Sequence, residues 1–335
     1  MPLTTHIIEE TPTEKSIEAT IDKEKAETYF QRAASFLSIR SPLKGFRPGK
    51  APFDLCMRTF GDATIIREVM RMVLYEELPS LLKNETFRIM GEPRIRFSAI
   101  ALQAPVVFTV TLGKYPEVIP LDYKTIVVKE KKADVKDYEI TRTLDFIKRD
   151  RGVDEIDDAL AKSLGNFKNV EDLKKSIKEG LLIDKETLTR EKARSSVLDE
   201  MKKRAPIALP RFVIEQEAEK RVAAHKEEIE AKGTLWAEYL KGIKKSEEDL
   251  ERDETDATLR LLENALILDE IARQEKITLS PQDVESALNG MLARYRDPKE
   301  AERAMDVAAT KEKIAQQLLY EKVFQEVLDK RIEYI

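Results

Sequence analysis

The chain is poor in the residues that most often carry catalysis or cross-links. Its 335 residues include one cysteine, two histidines and one tryptophan. A lone cysteine, Cys56, cannot form an internal disulfide, so the composition favours a reducing compartment. His6 and His225 are far apart in sequence, and Cys56 is close to neither. The sequence therefore predicts no Cys–His nucleophile, no metal site and no cofactor.

Long apolar runs are also missing. The first ten residues, "MPLTTHIIEE", lack the basic and apolar regions of a secretion signal. The longest uncharged run, residues 97–113, contains Pro105 and alternates in polarity, which is typical of sheet rather than of a membrane span. We therefore expect a cytoplasmic protein without a membrane partner.

Charged and helix-forming residues are abundant instead. Charged residues make up 36% of the chain, and glycine is scarce, with 11 residues. Residues 1–119 combine alternating and helical spacing, which predicts an α+β amino-terminal domain with helices on a small antiparallel sheet. Residues 120–150 predict an extended linker and a short helix. Residues 151–335 predict an all-α, elongated domain with projecting arms, because its long helices carry narrow apolar stripes.

The stretch "KGFRPGKAP", residues 44–52, is the most unusual in the chain. No acidic residue occurs between Glu27 and Asp54, and five cations fall in that interval: Arg32, Arg40, Lys44, Arg47 and Lys50. A nucleotide-binding P-loop is excluded, because three residues rather than four separate the two glycines and Ala51 replaces the hydroxyl residue. The sequence predicts a local cationic patch centred on this stretch.

Two interpretations of this stretch remain from the residues alone. Phe46 next to Arg47 has the composition of an interface hot spot, and Arg47 can form forked hydrogen bonds to carboxylate or phosphate. The two glycines permit tight turns, and the prolines reduce the entropy lost on binding. An inert turn is the alternative, since Gly/Pro turns are common.

The stretch also matches the signature Gly-Phe-Arg-x-Gly-x-x-Pro, so the chain resembles the trigger factor family. The matching residues are Gly45, Phe46, Arg47, Gly49 and Pro52. Later segments, among them "VDEIDDALAKSLGNFKNVEDLKKSIKEGL" and "LPRFVIEQEAEKRV", are similar to the family's carboxy-terminal chaperone domain. Trigger factors usually carry an FKBP-like prolyl isomerase domain between these parts. Here "ITRTLDFIKRDRG" runs directly into "VDEIDDALAK", so the resemblance implies a form without that domain and without enzyme activity.

The resemblance implies an ATP-independent chaperone that docks at the exit tunnel of the large ribosomal subunit. The docking residues would contact ribosomal RNA and a protein of the tunnel rim; they are Lys44, Gly45, Phe46, Arg47, Gly49, Lys50 and Pro52. The helical arms would then shield nascent or unfolded polypeptides. A weak homodimer away from the ribosome is also expected, because exposed apolar arms favour self-association.

Candidate client contacts lie near the end of the chain, where a Met-containing apolar surface would suit promiscuous binding. They are Leu288, Met291, Leu292 and Tyr295. Packing in the helical core is the alternative for each of the four. Two other functions stay open: a ribosome-independent holdase resembling the helical chaperone domain of periplasmic SurA, and a prolyl isomerase.

Overall fold

The computed structural model describes residues 3–116, 122–295, 297, 299–300, 303 and 305–335. Contacts divide the chain into two compact units. The first unit comprises Met1–Glu117 with Ile207–Leu261, and the second comprises Val118–Pro206 with Leu262–Ile335. The predicted limits of the three functional domains stay a prediction, and the predicted boundary at residues 119 and 120 lies outside the described residues.

The described part of the chain is mainly helical. Its strands are β1 Thr4–Glu10, β2 Glu14–Ile21, β3 Ile89–Ala99, β4 Val106–Lys114, β5 Val128–Glu130 and β6 Ile332–Tyr334. Its α-helices are α1 Lys23–Arg40, α2 Phe53–Phe60, α3 Asp62–Lys83, α4 Asp137–Arg151, α5 Asp158–Leu164, α6 Val170–Arg204, α7 Arg211–Ala231, α8 Trp236–Ile243, α9 Glu247–Gln274, α10 Pro281–Leu292 and α11 Val307–Val323. In these residues we find no helix that is both long and apolar enough to cross a membrane.

The first unit contains a four-stranded antiparallel sheet in the order β1-β2-β4-β3. Side chains of β2 and β4 alternate between buried and half-buried, so one face of the sheet is apolar. That face packs against α1 and α3 in a single core that includes Phe108, Tyr29, Phe30 and Val73. The predicted α+β arrangement is therefore confirmed. Neither β1 nor α2 was predicted, because every side chain of β1 is exposed and α2 has only eight residues.

Helix α7 packs on the same sheet, near the start of β3 and the end of β4. A Cβ atom on Gly91 or Gly113 would lie 2.8 Å or 2.9 Å from the side chain of Val213, so the two glycines permit this close approach. Ion pairs of 3.0 Å and 3.1 Å join Arg94 to Glu215 and Lys220 to Glu92. The sequence placed α7 in the helical domain, whereas its contacts place it in the first unit.

The second unit contains the long helix α6, which begins after an Asn169 cap. The Asn169 side chain accepts a hydrogen bond from the Asp172 N–H at 2.9 Å. Helix α10 begins with a capping box between Ser280 and Asp283. Only α5 and its flanking loops lie between α4 and α6. No further domain lies between α4 and α6, which is where the sequence predicts that the prolyl isomerase domain is absent.

Arg194 of α6 fixes the end of the chain within this unit. Its guanidinium forms two hydrogen bonds to Glu321, at 2.7 and 3.0 Å, and two to Asp329, at 2.9 and 2.7 Å. It also lies 4.6 Å from the ring centroid of Phe324. The side chain is 14% exposed, so these hydrogen bonds replace most of its hydration.

Replacing Arg194 with methionine should lower the free energy of unfolding by about 2 kcal/mol. This is less than the cost of breaking a fully buried pair, because Glu321 and Asp329 keep partial solvent contact. The hydrogen bond from Arg194 holds the pKa of the Glu321 carboxyl below its usual value. The pair therefore stabilises the fold at neutral pH, and this stabilisation is lost as the pH falls through the carboxyl range, below about 4.

Thermal unfolding followed by circular dichroism, at pH 7 and at pH 3.5, measures this effect. Lys178→Met is the control, since Lys178 is exposed on the same helix and has no ion pair among the residues that the structure describes. The two proteins, wild type and Arg194→Met, could instead differ in unfolding temperature by the same amount at both pH values. That result would contradict the assignment of the stabilisation to this ion pair.

Candidate functional site

Residues 43–50 form two consecutive tight turns, and we call residues 44–52 the docking loop. In the first turn the Phe46 N–H donates to the Leu43 carbonyl at 3.1 Å, and in the second the Lys50 N–H donates to the Arg47 carbonyl at 2.9 Å. Gly45 and Gly49 occupy the third position of each turn, with φ of +85° and +78°. These angles are those of type II turns, which favour glycine at that position.

The docking loop is attached to α1 at its second turn. The Ser35 hydroxyl donates to the Gly49 carbonyl at 3.1 Å. A Cβ atom on Gly49 would lie 2.8 Å from Cγ1 of Ile39, so glycine also permits the close packing of the loop on the helix. The loop ends at Pro52, where α2 begins. Its backbone is therefore held at both ends by helices.

Cys56 lies buried behind the loop, with its sulfur 3.9 Å from the Ala51 carbonyl oxygen. Burial raises the pKa of the thiol. The side chain therefore stays protonated at neutral pH and packs as a small apolar group.

The outer surface of the docking loop carries one aromatic ring and three cations. Phe46 is 40% exposed. Lys44, Arg47 and Lys50 are exposed, and none of them forms an ion pair within the described ranges. Arg32 differs, because two hydrogen bonds of 2.5 and 3.0 Å join it to Glu76. The predicted patch of five cations therefore loses Arg32, whose charge is neutralised by its partner.

The four predicted client contacts differ in exposure. Leu288 and Leu292 are buried, Met291 is half-buried and Tyr295 is 52% exposed. For Leu288 and Leu292, burial favours packing in the helical core, the alternative that the sequence left open. Their role in client binding stays a prediction, and within this set Tyr295 offers the largest exposed apolar surface.

An apolar groove in the second unit was not predicted, and we call it the α11 groove. It encloses about 700 Å³, and its apolar lining consists of Ile277, Leu279, Ala309, Ala315 and Leu319. A neighbouring opening of about 450 Å³ shares Ala315 and Glu312 with it. Small alanines at 309 and 315 were the available signal in the sequence, but alanine is so common in helices that it indicates no groove by itself.

Two family models match the chain. The model described as "Bacterial trigger factor protein (TF)" matches residues 3–147. The model described as "Bacterial trigger factor protein (TF) C-terminus" matches residues 169–329. The chain belongs to the trigger factor family. Only residues 148–168 lie between the two matches, which agrees with the direct passage from α4 through α5 to α6.

Similar proteins include trigger factors of two bacteria. The trigger factor of Alkaliphilus oremlandii is 20% identical over 412 residues, covering 93% of this chain and 96% of that protein. The trigger factor of Thermobifida fusca is 21% identical over 373 residues, covering 84% of this chain and 80% of that protein. Since the first alignment runs over more positions than the 335 residues of this chain, part of that relative has no counterpart here.

A solved structure shares the fold. It is described as "Promiscuous Substrate Recognition in Folding and Assembly Activities of the Trigger Factor Chaperone". The match has a TM-score of 0.58 at 15% identity and covers 99% of this chain and 100% of the other.

Among the described residues, no three His, Cys, Asp or Glu side chains are grouped so as to hold a metal ion. Membership of the trigger factor family supports a chaperone role.

Gly49→Ala should loosen the second turn of the docking loop. An alanine held in the left-handed region costs about 1–2 kcal/mol, and its methyl group would also displace Ile39. We expect the Lys50 amide to exchange its hydrogen roughly tenfold faster, because its bond to the Arg47 carbonyl opens more often. Nuclear magnetic resonance of amide exchange measures this directly.

Gly45→Ala is the matched control. It carries the same backbone strain, but nothing lies within 4 Å of its added methyl group. Its effect should appear at the Phe46 amide and leave Lys50 largely unchanged. An unaltered Lys50 exchange rate in Gly49→Ala would show that the second turn does not depend on glycine.

Proposed function

We propose that this member of the trigger factor family is an ATP-independent chaperone that docks on the large ribosomal subunit through the docking loop and shields nascent or unfolded polypeptides. The observation that carries the proposal is the docking loop, in which an exposed Phe46 lies among three cations that form no ion pair with any residue the structure describes. The proposal includes a cytoplasmic location, the functional domains 1–119, 120–150 and 151–335, and no isomerase activity.

The conformation of the loop supports a docking role. Two glycine turns, the Ser35 hydrogen bond and the stiff Pro48 restrict the backbone before any partner binds. A restricted loop loses less conformational entropy on binding, so more of its contact energy contributes to affinity. An inert connection between α1 and α2 would need no such exposed aromatic at its tip.

The charges of the loop support a partner rich in phosphate, as ribosomal RNA is. Arg47 can form a forked pair of hydrogen bonds to a phosphate, and Lys44 and Lys50 add charge without a fixed geometry. Because none of the three is neutralised by a carboxylate in the described structure, docking breaks no existing ion pair. Phe46 would contribute an apolar anchor against a protein of the tunnel rim.

The α11 groove supports the client-binding part of the proposal. Its lining combines aliphatic side chains with polar ones, among them Asp269, Glu312 and Lys313. Such a surface binds apolar segments without requiring a defined sequence. We extend the client surface to Tyr295 and Met291, and we propose that exposed apolar surface of this kind also permits a weak homodimer away from the ribosome.

Phe46→Ala combined with Arg47→Ala should abolish most ribosome binding. Loss of an aromatic anchor and its neighbouring arginine typically costs at least about 2 kcal/mol, or roughly thirtyfold in affinity. Arg47→Ala alone should also reduce the dependence of log affinity on log salt by roughly one phosphate contact. Co-sedimentation with purified ribosomes at several salt concentrations measures both effects.

Arg32→Ala is the control for charge, because Arg32 is already paired with Glu76. We expect it to pellet with ribosomes nearly as well as wild type. Equal pelleting of the Phe46/Arg47 double variant and wild type would rule out this docking site.

Ala315→Glu should reduce protection of an unfolded client. The substitution places a charge beside the apolar side chains of the α11 groove, and Lys311, the cation one helical turn before it, already pairs with Glu285 at 2.7 Å. We expect at least severalfold more protein to be needed to suppress aggregation of a chemically denatured model substrate, as measured by light scattering. Gln317→Glu is the control, since it adds the same charge to an exposed position of α11 that does not line the groove.

The ribosome-independent holdase of SurA-like type remains the second candidate. The docking loop belongs to the first unit and the α11 groove to the second. The Phe46/Arg47 double variant should therefore still protect an unfolded client in the absence of ribosomes. If wild type protects clients but never pellets with ribosomes, the holdase function replaces the proposal.

A further inference from the structure

One face of α4 carries alternating aromatic and arginine side chains, and we call it the α4 stripe. Its members are Tyr138, Arg142, Phe146 and Arg149. Their spacing of four, four and three residues places them on the same side of the helix. Together with Leu181 of α6 they line a groove of about 480 Å³ within the second unit.

The aromatic rings of the stripe are unusually exposed. Tyr138 is 68% exposed and Phe146 is 63% exposed. No residue of α4 is buried, so the helix contributes little to the core of its unit. Leu181, in contrast, is half-buried and supplies an apolar wall to the groove. Two large aromatic side chains on one exposed face are a typical feature of an interaction surface.

The charges around the stripe are not balanced. Arg142 has no ion pair among the described residues, and Arg149 donates only to the backbone carbonyl of Asp145, at 3.3 Å. The Asp145 carboxylate is 3.4 Å from Lys148 instead. The acid that lines the groove is Glu139, and its carboxylate forms an ion pair with Lys185 at 2.5 Å.

Glu139 is also engaged by the helix itself. It accepts a hydrogen bond from the Lys136 N–H at 2.9 Å. The hydrogen bond from Lys185 is the main reason that the pKa of the Glu139 carboxyl is lowered, and it keeps the group ionised and paired. Within the described part of the chain, the charges of Arg142 and Arg149 therefore line the groove without a carboxylate partner.

We propose that the α4 stripe binds extended polypeptide segments in which two carboxylates flank an apolar side chain. Arg142 and Arg149 are seven residues apart, which is about 10 Å along a helix. An extended chain rises about 3.3 Å per residue, so it covers the distance between the two arginines in roughly three to four residues. Side chains of an extended chain alternate between its two sides, so both acids face the stripe only if their positions differ by an even number. A segment with acids at its first and fifth positions and an apolar residue at its third presents all three on one side. Its acids are then about 13 Å apart, within reach of the two flexible arginine side chains, and the apolar side chain would contact Phe146 and Leu181.

A polypeptide fits the charges of this region better than a nucleic acid does. The two arginines offer few contacts to a phosphate backbone, and the carboxylate of Glu139 lines the same groove. Residues 120–335 also contain 48 acidic and 42 basic residues, so the wider field does not attract a polyanion. A short acidic and apolar polypeptide segment can bind through the local charges of Arg142 and Arg149 alone.

The inference rests on the proposed chaperone function and specifies one class of client segment for it. The test uses the full chain without ribosomes and a fluorescein-labelled peptide with Asp-Ser-Phe-Ser-Glu at its centre and Gly/Ser residues on both sides. Fluorescence anisotropy at low salt gives its affinity. Arg142→Gln with Arg149→Gln should weaken binding at least tenfold and flatten its salt dependence, and Phe146→Ala should weaken it severalfold.

Lys148→Gln with Arg151→Gln is the matched control. It removes the same charge from the same helix, but from residues that pair with Asp145 and Asp150. We expect the control to bind the peptide within about twofold of wild type. Because all four positions are surface positions of α4, circular dichroism should show the same unfolding temperature for both double variants.

Three results would overturn the inference. They are equal binding by wild type and the Arg142/Arg149 variant, equal binding of a peptide with Asn-Ser-Phe-Ser-Gln at its centre, and tighter arginine-dependent binding of a single-stranded RNA oligonucleotide. Aggregation assays with an uncharged apolar substrate separate this inference from the proposed function. A protein that binds the acidic peptide but protects no substrate would contradict the chaperone function alone.

Discussion

Burial of one face of β4 is the constraint on which the first unit depends. Val106, Phe108, Val110 and Leu112 point to the same side of the strand and have no exposed surface. This face lies in the core that also contains the buried sides of α1 and α3. Because α1 and α2 contribute to that core, the connection between them lies at the surface with both ends fixed.

The distribution of ion pairs separates structural cations from those available for binding. Arg32 and Arg194 each form two or more hydrogen bonds to carboxylates. Lys44, Arg47 and Lys50 form none within the described structure, and neither does Arg142. In a chain where 36% of residues are charged, the sequence alone cannot sort these groups, since pairing depends on which elements become neighbours. The arginines and lysines that have no carboxylate partner within the described structure are the ones whose charge is available to a binding partner.

The larger elements could be predicted because their signals are local. The long helix α6 and the capping box at Ser280 follow from side chains that bond to their own backbone within three residues. Strand β1 carries no such signal, since it is an edge strand with every side chain exposed. The position of α7 depends on Gly91 and Gly113, which lie more than 90 residues before it and acquire meaning only when Val213 packs against them.

The sequence by itself determined the docking loop. Its two glycines, its prolines and its Phe-Arg pair are adjacent in the chain, and the turn geometry they require is a property of those residues. Only the tertiary structure decided three further features. It determines which cations have no ion pair in the described structure, and it buries Leu288 and Leu292. It also forms the grooves beside α11 and α4. These features arise from residues distant in sequence, and their energies depend on distance and burial, which a linear pattern does not contain.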